Sequence, residues 1–404
     1  MRCGILSLVG RKYNNNYGAV LQAFALQTFL KKMGIKPEYI DYHPNVKPRS
    51  SIIKYRLNKL VKRFRNDGVK VALKSIFEYI QIRVNKQIFR NLEKIRQQKF
   101  DNFREKYLSF SEKSYTNIDD LQISMEKLTG YHYHFLLVGS DQVWNPAIVS
   151  TNALRAYLLD FKIKVPKISY ASSVGHQIPT TLEDYYKKCL KDFDFISVRE
   201  KQSAQEIEKI LGYSPKIVVD PTLLLTSEEW AKIISPPNFQ VRRPYIFVYD
   251  IYRSKDILDA MEDLKTEYVN YTPIIRLKKL RYRNCSYTYY TEGPSEFLWF
   301  VKNSDFVVTS SFHGTAFAII FKKPFYSILW DKPEKQGQNG RITYLLDELG
   351  LSDRYFVDPK EILRRGLDTD IDWNKVHEKL NAMRRDSVKW LLNALENIRE
   401  RIVQ

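Results

Sequence analysis

Cysteine is scarce: Cys3, Cys189 and Cys285 are scattered over 404 residues without a Cys-x-x-Cys pair. That spacing excludes a disulfide framework and a thiolate zinc site, and it leads to the expectation of a reducing, cytoplasmic setting. Long apolar runs are missing too. None reaches the ~18 residues that span a bilayer. The opening Met1-Arg-Cys-Gly-Ile-Leu-Ser-Leu-Val9 reads as a short strand, without the apolar core and small-residue cleavage site of a secretory signal. Internal repeats, low-complexity tracts and a visible metal site are likewise absent. Acidic residues are in deficit, 46 against 65 Lys and Arg, for a formal net charge of +19. Such a balance implies an anionic partner: nucleic acid, membrane surface or phosphorylated substrate.

What is present suits a globular protein of two domains. Hydrophobic residues make up 44% and aromatics 14%, and the length exceeds one ordinary core. Cys3 to Val9 is a strand, and Ala19 to Met33 carries the i, i+3, i+4 apolar spacing of an amphipathic helix. The loop between them, Gly10-Arg-Lys-Tyr-Asn-Asn-Asn-Tyr-Gly18, is not Gly-x-Gly-x-x-Gly, so a dinucleotide site is poorly supported. Its asparagines, Asn16 among them, can cap the helix or offer amides to a hydroxyl-rich ligand.

Residues 45 to 109 hold 18 Lys or Arg against 5 Asp or Glu, a local balance of +13. Apolar residues recur there at helical spacing, which predicts basic amphipathic helices inserted in the first domain. Two readings fit: helices that rest on an anionic membrane surface, or an ordinary insertion with a solvated basic face. Nucleic acid is not expected, because no base-reading motif accompanies the charge.

After this stretch the strand and helix alternation resumes. Tyr133 to Val138 is a strand that runs into Gly139-Ser-Asp-Gln-Val-Trp-Asn145. Asp141 there is either a base for a sugar hydroxyl or the side chain of an Asx-turn, and Trp144 either a face for a sugar ring or a core residue. Arg199 ends the strand Phe195-Ile-Ser-Val. It can grip a carboxylate or phosphate through two N–H groups, or pair with Glu200 or Asp220.

In the second half, Phe306-Val-Val-Thr309 is a buried strand, Ser310-Ser-Phe-His-Gly314 a polar turn, Thr315 to Phe321 a helix, and Phe325 to Leu329 the next strand. In such units ligands bind beyond the carboxyl ends of the strands, where helix N-termini attract anions. A histidine at that end, His313, is held neutral by the helix terminus and regains its proton beside an anion, making a proton donor armed by its substrate. A partly buried helix cap is the alternative. Arg341, at the start of the helix Ile342 to Leu349, opposes the dipole unless it serves an anion. Residues 373 to 400 form a long helix placed to pack back across both domains.

Six segments in order carry a family likeness: Asn16-Tyr-Gly-Ala-Val-Leu-Gln-Ala23, Val138-Gly-Ser-Asp-Gln-Val-Trp144, Ile168-Ser-Tyr-Ala-Ser-Ser-Val-Gly175, Ser197-Val-Arg-Glu200, Asp220-Pro-Thr222 and Ser310-Ser-Phe-His-Gly-Thr315. Together they resemble the polysaccharide pyruvyl transferase family over roughly residues 3 to 354. The resemblance implies an α/β protein of two Rossmann-like domains in a GT-B-like arrangement, with the basic helical insertion in the first. The expected division is 1–225 for the acceptor side, including the insertion at 45–130, 226–366 for the donor side, and 367–404 for the terminal helix. It implies transfer of the pyruvyl group of phosphoenolpyruvate onto two hydroxyls of a sugar or lipid-linked oligosaccharide as a cyclic ketal, without a further cofactor.

Under this reading His313 is the acid, Asp141 the base and Arg199 the anion clamp, with Ser311, Gly314, Arg341, Asn16 and Trp144 in substrate binding. Some members carry arginine two residues before the histidine, where this chain has Ser311; Arg341 or Arg276 then has to supply the second cation. The alternatives are a GT-B glycosyltransferase that uses a nucleotide sugar, and a non-catalytic protein that docks on a membrane.

Overall fold

The computed structural model describes residues 1–12, 14–44, 90–129, 132–251, 255–267, 274–277, 287–330 and 339–403. Residues 45–89, the larger part of the basic stretch, lie outside these.

Two parallel sheets are built from short apolar strands. The first has the order β3-β2-β1-β4-β5-β6-β7, with β1 at Arg2–Leu6, β2 at Lys36–Tyr42, β3 at Phe110–Tyr115, β4 at Phe135–Val138, β5 at Lys167–Ser172, β6 at Phe195–Val198 and β7 at Lys216–Ile217. The second runs β10-β9-β8-β11-β12-β13, with β8 at Ile246–Tyr249, β9 at Ile274–Leu277, β10 at Tyr287–Tyr289, β11 at Phe306–Thr309, β12 at Phe325–Ile328 and β13 at Tyr355–Phe356. Strands such as Phe135–Val138 and Phe306–Thr309 are buried at every residue, because a parallel sheet is covered on both faces. In each sheet the strand order reverses beside its first strand, between β1 and β4 and between β8 and β11. Crevices for ligands form at such reversals, outside the carboxyl ends of the strands.

Three expectations are corrected here. The region 45–130 is not helical throughout: β3 pairs in parallel with β2 and forms an edge of the sheet. Its sequence, Phe-Ser-Glu-Lys-Ser-Tyr, is polar because an edge strand buries little, so it lacked an apolar signature. The first helix, Tyr17–Lys32, is not amphipathic in effect, since every residue from Tyr17 to Gln27 is buried. It lies between the two sheets' domains and needs apolar cover on all sides. The helix after β11 starts at Phe312, not Thr315, with Ser311 as its extended N-cap residue. His313 and Gly314 therefore belong to its first turn.

The domains share one core. Tyr17 stacks on Phe297 at 4.6 Å, Phe24 meets Trp230 at 5.5 Å, and Trp230 meets Phe317 edge-on at 4.9 Å. The helix over 90–107 adds a polar strap to this contact. Arg96 donates to the Tyr17 hydroxyl at 2.7 Å and lies 4.7 Å above its ring; Tyr17 donates in turn to the Glu292 carbonyl at 2.7 Å, and Lys99 pairs with Glu296 at 2.6 Å. The final helix, Trp373–Val403, touches both halves. Ser387 Oγ accepts from the Val219 N–H, while His377 Nε2 lies 3.0 Å from the Ile319 carbonyl. No described helix is long and apolar enough to cross a membrane.

Candidate active site

The loops leaving β4, β6 and β7 bring Asp141, Arg199 and Asp220 together, and the helix following β11 adds His313 from the other domain. Arg199 is 3% exposed. Its Nη1 donates to Asp220 Oδ2 at 2.9 Å, its Nε faces Glu200 at 3.4 Å, and its Nη2 stands 3.8 Å from Asp141. The ring of Phe312 lies under the guanidinium at 4.8 Å. Burial works against the guanidinium's charge, but Asp220, Glu200 and Asp141 outweigh it and raise the pKa.

Asp220 anchors this group. Ser140 Oγ donates to Oδ2 at 2.9 Å, and the N–H and hydroxyl of Thr222 donate to Oδ1 at 2.9 and 2.7 Å. The same turn seats Pro221 at the start of a 3-10 helix, so the Asp-Pro-Thr sequence fixes the carboxylate locally. Burial raises its pKa, yet His313, Arg199 and the Thr222 bonds together hold it below the usual carboxylate range.

His313 stands with Nε2 3.8 Å from Asp220 Oδ2, too far for a hydrogen bond. That nitrogen and Arg199 Nη2 are buried and lack a hydrogen-bond partner among the described residues. Burial is the first cause that lowers the His313 pKa; Asp220 and Asp141 oppose it, and Arg199 and Arg341 reinforce it. Burial thus favours the neutral imidazole, where the sequence reading ascribed that neutrality to the helix terminus.

Its position depends on two glycines. A Cβ on Gly18 would lie 2.0 Å from His313 Nδ1, and one on Gly314 would lie 2.3 Å from Thr309 Oγ1. Thr309 itself donates to the Tyr249 carbonyl at 2.7 Å and accepts from Ser311 N–H, and Ser310 donates to buried Asp250 at 2.6 Å. The turn before the helix is therefore tied to the end of β8.

Arg341 comes from the helix Gly340–Leu349 and is largely buried. With the Gln142 amide oriented oxygen-first, Arg341 donates two bonds to it, at 2.9 and 2.7 Å, across the domain boundary. A cavity of about 130 Å³ lies between Arg199, Asp220, Phe312 and Arg341.

His313, Arg199, Asp141 and Arg341 thus converge, with Ser311 and Gly314 shaping the turn. Asn16 is the exposed N-cap of the first helix, accepting from Gly18 N–H at 2.9 Å, beside the cluster through Gly18. Trp144 does not fit its sugar-stacking assignment. It is fully buried, donates Nε1–H to the Tyr157 carbonyl at 2.8 Å and packs edge-on against Phe193. The β4 loop runs alongside the end of β5, Asp141 bridging to Ser172 and Trp144 N–H donating to the Ser173 carbonyl, and this indole has no open face. The Asp141 backbone, at φ 82°, is what turns the loop and aims the carboxylate at Arg199. The sequence assigned no site role to Gly18, Gln142, Glu200 or Asp220; Glu200 and Asp220 stood there in the family-likeness segments and as alternative ion-pair partners of Arg199, and both pairs are present.

Among the described residues, no group of three or more His, Cys, Asp or Glu is arranged to hold a metal.

A family model described as polysaccharide pyruvyl transferase matches residues 16–332. Among solved structures the chain is similar to a UDP-N-acetylglucosamine 2-epimerase, at 11% identity and TM-score 0.55, over 98% of this chain and 96% of that one. It is also similar to the UDP-N-acetylglucosamine 2-epimerase from Rickettsia bellii, at 10% identity and TM-score 0.51, over 98% of each. At such identities the likeness is one of fold, the two-domain GT-B-like arrangement. A search of curated proteins found no match.

Proposed function

The chain belongs to the polysaccharide pyruvyl transferase family, and on that footing we propose that it moves the pyruvyl group of phosphoenolpyruvate onto a sugar as a cyclic ketal, releasing phosphate. The acceptor is a cell-surface polysaccharide or its lipid-linked precursor, and no cofactor takes part. The observation that carries this reading is His313: neutral by burial, seated between the domains, with its Nε2 and Arg199 Nη2 both buried and without a hydrogen-bond partner among the described residues.

A neutral histidine becomes a donor when a dianion settles next to it, because the negative charge restores the proton that desolvation removed. His313 then protonates the methylene carbon of phosphoenolpyruvate, leaving cationic character at C2. A sugar hydroxyl oxygen bonds to C2, the C2–O bond to phosphate breaks, and a second hydroxyl closes the ketal. Of the two hydroxyl protons, the first passes by way of Asp141 to the departing phosphate and the second returns to His313. Arg199 Nη2 and Arg341 hold the anion, Ser311 and Gly314 let it approach the start of the Phe312–Ile320 helix, and Asp141 takes the first hydroxyl proton. The carboxylates of Asp141, Glu200 and Asp220 also favour cationic C2.

The basic stretch 45–109 suits an enzyme that works at the anionic inner face of a membrane on a lipid-linked acceptor. Salt-insensitive lack of co-sedimentation with anionic vesicles would count against that part alone. The deciding experiment is calorimetric titration with phosphoenolpyruvate, repeated on His313→Ala and with UDP-N-acetylglucosamine. Binding of phosphoenolpyruvate that the variant loses supports the reading; heat only with the nucleotide sugar replaces it with a nucleotide-sugar transferase.

A further inference from the structure

A second and larger cleft, of about 940 Å³, opens beyond the carboxyl ends of β1, β2 and β3. Its chemistry differs from that of the His313 cluster. None of its described lining residues carries a charge, whereas Arg199, Arg341, His313, Asp141, Glu200 and Asp220 crowd the other site. The polar lining consists of Asn14, Thr116, Asn117, Ser150, Thr151 and Asn152, and most of these are exposed.

Local hydrogen bonding leaves this lining both donors and acceptors. Asn14 spends its amide N–H on the Leu8 carbonyl, which leaves the Oδ1 acceptor. Asn117 spends Oδ1 on capping Asp119 N–H, which leaves its amide donors. Ser150 accepts from Ala153 N–H, which leaves the hydroxyl proton to donate. Each sugar hydroxyl is itself donor and acceptor, so the described part of the lining, mixed amides and hydroxyls without charge, matches it. Ile148, 55% exposed, and Val149 add apolar patches at the rim for the C–H faces of a ring. A phosphorylated or nucleotide ligand would find no described cation here.

Two loops join the cleft to the His313 cluster. The β1 loop contributes Leu8 and Asn14 to the cleft and, a few residues on, Gly18 beneath His313. The β4 loop presents Asp141 to Arg199 and then Ile148 to Ser150 to the cleft. The volume lies at the upper end of the about 300–1,000 Å³ typical of small-ligand sites, which suits several hexose units better than one. We infer that this cleft binds the neutral sugars that flank the reacting sugar, so that the enzyme recognises an oligosaccharide acceptor and not a free monosaccharide. The inference rests on the proposed function for the word acceptor; the saccharide site itself does not.

The test titrates the full chain with neutral gluco-, galacto- and manno-oligosaccharides of one to four units, followed by saturation-transfer NMR and calorimetry. Thr151→Trp and Asn152→Trp fill the cleft from exposed positions that the fold does not need. For at least one series, affinity should rise 10-fold or more from one sugar to three, and either variant should reverse that gain while phosphoenolpyruvate binding stays unchanged. Affinity that does not grow with length, variants that bind like wild type, or oligogalacturonate bound as tightly as the neutral chains would overturn the inference. Length-dependent, variant-sensitive saccharide binding by a protein that ignores phosphoenolpyruvate would leave the cleft standing and remove the pyruvyl transferase reading.

Discussion

Gly18 and His313 touch across the domain boundary: the backbone of the first helix leaves no room for a methyl group beside the imidazole, since a Cβ there would sit 2.0 Å from Nδ1. Glycine within a helix ordinarily costs roughly 0.5–1 kcal/mol relative to alanine, so its presence here is explained by the histidine. Gly18→Ala should therefore push His313 out of place and lower kcat at least ~100-fold, at a cost of roughly 1–3 kcal/mol from overpacking and with the circular dichroism of a folded protein. Wild-type turnover in this variant would show that the ring's placement does not matter.

Phosphoenolpyruvate binding should take up a proton near pH 7. The pKa of His313 is lowered by burial, and an adjacent dianion raises it again. Calorimetry in two buffers of different ionisation enthalpy measures this uptake directly. It should vanish in His313→Gln, and equal apparent enthalpies in both buffers for the wild type would refute the mechanism.

The same depressed pKa has a stability consequence. The unfolded chain takes up a proton on His313 as pH falls below about 6.5, while the folded protein resists it. The stability linked to this neutral histidine is complete above that pH and is lost as pH falls toward the folded value. His377, also lowered by burial, acts in the same direction. The readout is therefore the difference between wild type and His313→Gln in urea midpoints over pH 5 to 8, which should shrink on acidification.

Arg199 and Asp220 form a buried pair at 2.9 Å. Arg199→Met leaves Asp220 and Glu200 without their cation and should cost roughly 3–5 kcal/mol in urea denaturation. Adding Asp220→Asn to that variant should recover part of the loss without restoring phosphoenolpyruvate binding. No recovery in the double variant would mean that the pair is not the source of the cost.

Trp144 should behave as a core residue. Trp144→Ala is expected to destabilise by about 3–5 kcal/mol, whereas Trp144→Phe should keep the acceptor KM within about twofold. A large rise in KM with unchanged stability would restore the sugar-stacking role that its burial denies.

Much of the architecture was legible because parallel strands buried on both faces write themselves as short apolar runs. Phe306–Thr309 could be read to the residue. β3 could not, because an edge strand with Ser, Glu and Lys in it buries too little to leave a pattern. The burial of Tyr17 to Gln27 on every side was hidden for the opposite reason: part of the cover over this helix comes from the second domain, as where Phe297 stacks on Tyr17.

The sequence by itself determined where strands end and helices open, and so which polar and charged side chains lie at those ends, since strand periodicity and turn residues are local properties. It thus brought His313, Arg199, Asp141 and Arg341 forward as candidates. Only the tertiary structure decided what each one faces. Whether Trp144 looks at a ligand or at Phe193, and which carboxylate steadies Arg199, depend on contacts between segments far apart in the chain. That Gly18 must be glycine because of a histidine 295 positions later follows from the docking of two domains, which no local pattern records.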